Sequence, residues 1–75
     1  MNKQRRQTIK KNSNLLEKIK SDIENILSDE EYYFDNMPEN LQGSMRGEAS
    51  EEAIDLLSEA VDNLNCCIDN LTSIN

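Results

Sequence analysis

The chain of 75 residues has no histidine, no tryptophan, one proline, two glycines, two cysteines and three aromatic residues. Each shortage excludes something. Without histidine the usual general base at neutral pH is missing, and two adjacent thiols alone do not complete a zinc site. Cys66 and Cys67 are neighbours, so they cannot staple distant parts of one chain, and unpaired thiols suit a reducing compartment. Gly43 and Gly47 do not form a phosphate-cradling loop, and no nucleophile motif occurs. The acidic run Asp29-Glu30-Glu31 lacks the alternate spacing and the glycine of a calcium loop. No apolar run approaches the ~20 residues of a membrane span, and the basic N-terminal stretch lacks the hydrophobic segment of a secretory signal. The expected protein is therefore cytoplasmic and non-enzymatic, with no cofactor, no metal and no membrane association.

What is present is helical periodicity. In Ala49–Asn75, the residues Ala53, Leu57, Ala60, Leu64, Cys67, Leu71 and Ile74 recur at alternating four- and three-residue steps, the seam of a helix packed lengthwise on another. Ile54, Val61 and Ile68 add a flanking row that widens the stripe. Earlier in the chain, Ile9, Leu16, Ile19, Ile23, Ile26 and Tyr33 follow the same rhythm, broadened by Leu15 and Leu27. Asn12 interrupts that row near a helix start where cations oppose the macrodipole, and it reads as solvated in a fraying turn. Asn36-Met37-Pro38 stops the first helix, because proline disfavours helical geometry in the residue before it.

These signals predict an all-α chain with a helix over about 3–35, a loop over 36–47 holding one short turn at 38–42, and a second helix over about 48–73. Gly43 and Gly47 are read as punctuation of that loop. Two long helices with a short connection fold back as an antiparallel hairpin. A lone hairpin of this size has a marginal core, so self-association is expected: two hairpins paired as a homodimeric four-helix bundle would cover both the seams and the flanking row. The core and dimer positions are Ile19, Ile23, Ile26, Ile54, Leu57, Val61, Leu64, Ile68 and Leu71. Cys67 falls on the seam and reads as a small buried hydrophobe.

Charge is divided unevenly. Residues 1–20 hold seven of the eight cations against Glu17 alone, and residues 21–75 hold fourteen acids against Arg46 alone, for a net charge of −7. In the hairpin, Asp62 and Asp69 are expected to face Lys3–Lys11, which would neutralise the basic end internally. Glu48, Glu51, Glu52, Asp55, Glu59, Asp62 and Asp69 form a ridge away from the seam. Such a ridge is either a solvated face or an imitation of a phosphate backbone that occupies a basic groove. Tyr32, Tyr33 and Phe34 cluster beside acids, where they either cap the core or, at Tyr32 and Phe34, anchor a partner.

The layout resembles small acidic helical proteins encoded by phages and prophages of Gram-positive bacteria. The resemblance lies in the basic start, the amphipathic helix, and the stretch Tyr33-Phe34-Asp35-Asn36-Met37-Pro38-Glu39-Asn40-Leu41-Gln42 followed by Arg46-Gly47-Glu48. It implies a context, an inhibitor that binds a host defence or nucleic-acid-handling protein, and carries over no functional residues; the surface expected to bind is the acidic and aromatic one, Glu48, Glu51, Glu52, Asp55, Glu59, Asp62, Tyr32 and Phe34. Two other classes stay open. One is a nucleic-acid accessory protein using Lys3, Arg5, Arg6, Lys10 and Lys11, against which the negative net charge argues; the other is a structural or assembly subunit.

Overall fold

The computed structural model describes residues 1–74 and is an antiparallel helical hairpin. Helix α1 spans Lys3–Asp35, a short α2 spans Glu39–Gln42, and α3 spans Met45–Thr72. The Cα atoms fill a rod of 58 × 14 × 13 Å. The first turn of α1 contains no acid, and it is held by Asn2, whose side-chain oxygen accepts from the Arg5 amide at 2.7 Å. That cap satisfies one orphan donor and opposes the fraying expected from the nearby cations.

The interhelical seam is shifted by one position from the expected one. On α1 the residues that lose solvent are Ile9, Ser13, Leu16, Lys20, Ile23, Leu27, Glu30 and Phe34. On α3 they are Gly47, Ser50, Ile54, Leu57, Val61, Leu64, Ile68 and Leu71, with Ala53 and Ala60 half-buried beside them. The row Ile54, Val61 and Ile68, expected to await a second copy, is covered by α1 of the same chain. Val61 and Ile68, with Met37 at the turn, are the buried apolar side chains of the hairpin. Cys67, expected in the seam, is exposed, as is Cys66. The physical reason is area: turning the β-branched row inward buries more apolar surface than turning Ala53, Ala60 and Cys67 inward. Of the remaining core positions, Ile23, Leu57, Leu64 and Leu71 are half-buried, whereas Ile19 and Ile26 are 46% and 54% exposed. Asn12 is exposed, in keeping with a solvated position.

Polar residues enter the seam at three levels. Ser50 is 4% exposed, and its hydroxyl donates to Glu30 Oε2 at 2.5 Å. Lys20 Nζ donates to Asn65 Oδ1 at 2.8 Å and lies 3.7 Å from Glu17. Ser13 is buried toward the open end. The Lys20–Glu17 contact is the only ion pair among the described residues. The expected neutralisation of Lys3–Lys11 by Asp62 and Asp69 is thus not realised as ion pairs, because these outward-pointing side chains stay in water, where pairing gains little.

The corner between the long helices is built by side chains on backbone. Asn36 Nδ2 donates to the Tyr32 carbonyl at 2.7 Å, and Gln42 Nε2 donates to the Phe34 and Met37 carbonyls at 3.2 Å each. The Tyr32 and Phe34 carbonyls also accept the Asn36 and Met37 amides, so the side chains add second donors that tie the corner to the end of α1. Ser44 caps α3, accepting from the Gly47 amide at 3.4 Å, and its hydroxyl also donates to the Leu41 carbonyl. Gly47, expected in the loop, lies inside the first turn of α3. An added Cβ there would stand 1.9 Å from the Gln42 carbonyl oxygen, so α2 can lie against α3 only because position 47 has no side chain.

The two glycines therefore respond differently to alanine. Gly47→Ala must push the Gln42 backbone away and lowers stability by about 1–3 kcal/mol. Gly43, at φ −86° with nothing within 4 Å of an added Cβ, gains roughly 0.4–1 kcal/mol from alanine through a less flexible unfolded chain. Thermal melts followed by circular dichroism check both: Tm falls for Gly47→Ala and rises by a few degrees for Gly43→Ala.

Candidate interaction surfaces

The seam leaves each helix with two flanks, and the grooves at the corner show how they match up across the hairpin. Glu31, Asp35, Glu51 and Asp55 line one groove over Phe34 and Ile54. Tyr33 and Arg46 line another with Met37, Pro38 and Leu41. One long side of the rod therefore continues the first set of positions, and the opposite side continues the second.

On the first side, Glu17, Glu24 and Glu31 repeat at seven-residue steps along α1, next to Glu51 on α3. Glu48, Asp55, Asp62 and Asp69 form an adjoining column at the same step, ~10.5 Å apart along the helix. Glu52 and Glu59 lie farther round, and every acid of the expected ridge is exposed. None of the ridge carboxylates has a cation within ion-pair distance among the described residues. A helix that lines up acids without counter-charges holds a field that any basic surface would relieve. Among the described residues, no group of three or more acids or thiols is placed to hold a metal ion.

On the second side, Leu15, Ile19, Ile26 and Tyr33 form a stripe along α1, and Ala53, Leu56, Ala60 and Cys67 continue it on α3. Leu15 is 50% exposed and Leu56 58%. The periodicity of α1 had merged this stripe with the true seam, because two rows one position apart share the same seven-residue rhythm.

The aromatic residues divide among these surfaces. Phe34 is half-buried in the seam, so its ring supports the hairpin. Tyr33 belongs to the apolar side. Tyr32 is 73% exposed on the outer face of α1, next to Glu31. Leu41 and Met45 add exposed apolar surface at the corner, a feature that periodicity missed because neither residue belongs to a long helical repeat. At the other end of the rod, Arg6, Ile9, Lys10 and Ser13 share a groove with Leu71 and Ile74. Residues before Arg6 accordingly extend past α3, and Lys3 and Arg5 are exposed.

Truncation separates the anchoring aromatic from the structural one. Tyr32→Ala should leave unfolding free energy within about 0.5 kcal/mol of the parent. Phe34→Ala should cost about 2–3 kcal/mol, because it empties a seam position. Denaturant melts of the two variants distinguish them.

Comparison of the chain with protein-family models, with curated proteins and with solved structures finds no match.

Proposed function

We propose that this chain is a non-enzymatic interaction module that self-associates as a homodimer and presents its acidic side to a basic surface of a protein partner. The resemblance to small phage proteins gives that partner a context: a host defence or nucleic-acid-handling protein whose basic groove the acids occupy. The observation that carries this reading is the run of uncompensated carboxylates from Glu31 and Asp35 across to Glu48, Glu51, Asp55 and Glu59. Carboxylates on successive helical turns offer a rigid row of negative charge, and a basic groove evolved for phosphates would meet them with many weak contacts at once. Tyr32, beside Glu31, supplies the aromatic anchor that charge alone lacks.

The non-enzymatic part of this reading draws support from the same geometry. No side chain among the described residues falls below 2% exposure, and catalysis commonly uses groups held out of water. No helix among the described residues is long and apolar enough to cross a membrane.

The test is capture from a bacterial lysate by the immobilised chain, repeated with Glu51→Lys/Asp55→Lys/Glu59→Lys. The expected result is one dominant basic partner, released between about 0.1 and 1 M salt as the screening length shrinks from ~10 to ~3 Å. The triple variant should lose that partner while keeping its helix content. Retention of the partner by the triple variant would refute the acidic reading. Loss of binding instead on neutralising Lys3, Arg5, Arg6, Lys10 and Lys11 would transfer function to the basic end, as for a nucleic-acid accessory protein.

A further inference from the structure

The apolar side of the hairpin has no cover within the chain. Leu15, Ile19, Ile26, Tyr33 and Leu56 are each between 46% and 58% exposed, all along one side of a rod whose own core is thin. The charges of the rod say what covers them.

Contacts across the seam fix which residues stand level. Lys20 reaches Asn65, Glu30 bonds Ser50, and Ile9 shares a groove with Leu71, so Asp22 stands about level with Ala60. The exposed stripes run over 15–33 on α1 and 53–67 on α3, with midpoints at residues 24 and 60, within about half a helical turn of that level, and Asp22 stands on the outer edge of the first. The stripes are therefore centred at about the same level of the rod. Divided at that level, the open half, residues 1–22 and 60–75, has seven cations and four acids, a charge of +3. The turn half, residues 23–59, has eleven acids and Arg46, a charge of −10, and the two halves together give −7.

Two copies can place identical faces together about a two-fold axis in only two ways. An axis along the rod stacks like ends, −10 on −10. An axis across the rod stacks unlike ends, +3 on −10, at both ends of the assembly. With a screening length of ~8 Å at physiological salt, charges at opposite ends of the 58 Å rod or on its outward sides count little, and the charges beside the stripe decide. By spacing, Lys11 and Lys18 flank it in the open half and Asp29 and Glu52 in the turn half, so an axis across the rod brings Lys18 near Asp29 of the other copy, whereas an axis along it brings Asp29 near the other copy's Glu52.

We propose that a second copy of this chain covers the apolar side in the antiparallel orientation, about an axis passing near Asp22 and Ala60. This rests on the self-association proposed above and specifies its face and polarity. In this arrangement α1 lies on the α1 of the other copy and α3 on its α3. Ile19 of one copy stands opposite Ile26 of the other, and Leu15 faces the end of the stripe near Tyr33. Ala53 and Ala60 are small enough for the two α3 helices to approach closely. The acidic sides point outward on both copies, so the dimer displays the ridge twice. Reversing Glu51, Asp55 and Glu59 changes the turn half from −10 to −4, which keeps the halves opposite in sign and spares the dimer.

Single-cysteine chains test the geometry. In a background with Cys66→Ser and Cys67→Ala, the variants Asp22→Cys, Ala60→Cys and Asp55→Cys are each treated with a short bis-maleimide, alone and as a mixture of the first two carrying different mass tags. The mass of the parent chain in solution is measured alongside, and circular dichroism confirms that each variant keeps its helix content. The expected result is a dimeric parent, covalent dimer as the major product of Asp22→Cys alone, and little from Asp55→Cys. A dimeric parent whose crosslinks form only between Asp22→Cys and Ala60→Cys chains would overturn the polarity. A major product from Asp55→Cys would overturn the face. In both cases self-association would stand. A parent that stays monomeric to hundreds of micromolar while fully helical would overturn the pairing altogether.

Discussion

Which stripe of each helix enters the interhelical seam determines every other surface of this protein. Both long helices carry apolar residues over more than the width one partner helix can cover. Burying Ile54, Val61 and Ile68 against α1 commits Ile9, Leu16, Ile23 and Leu27 as their counterparts. It also turns Leu15, Ile19 and Ile26 outward on one side, and aligns Glu17, Glu24 and Glu31 with Glu51 on the other. A rotation of α3 by one residue would have buried Ala53, Ala60 and Cys67 and moved the acids toward the apolar stripe of α1. The two-sided character of the rod is a consequence of the seam's register.

The corner enforces that register. Gly47 brings α2 within backbone contact of α3, Gln42 closes the end of α1, and Ser44 starts α3 earlier than the acids at Glu48–Glu52 suggested. Ser50 and Glu30 then pair just inside the turn. A small residue and a hydrogen bond hold the turn end of the seam, and branched apolar residues fill it farther along. Polar residues at Ser13, Lys20 and Glu30 thin the seam, and few apolar side chains reach full burial. Such a hairpin has reason to use its second apolar stripe.

Much of this was legible in the sequence, for physical reasons that also explain the misses. Helix spans followed from seven-residue periodicity and from Pro38, and the hairpin from a short connection between two long repeats. The register was not legible, because Ala53, Ala60 and Cys67 keep the same period as Ile54, Val61 and Ile68. Only packing against a particular α1 face distinguishes the two rows. Gly47 looked like loop punctuation because a glycine needed for close approach and one needed for a turn read alike. The acids of the ridge were identified as exposed from spacing alone, whereas the division of Tyr32, Tyr33 and Phe34 among three surfaces required the seam to be known. Internal charge pairing at the open end was expected from topology and did not occur, since proximity of helix ends does not bring outward-pointing side chains together.

Solution NMR with a soluble paramagnetic agent reads the register of the seam. With methyl groups labelled on alanine, isoleucine and valine, the signals of Val61 and Ile68 should persist at every protein concentration. That result places the branched row against α1 within one chain. Loss of the Val61 and Ile68 signals while those of Ala53 and Ala60 remain protected would contradict the account, because it would put the other row in the seam and rearrange both sides of the rod.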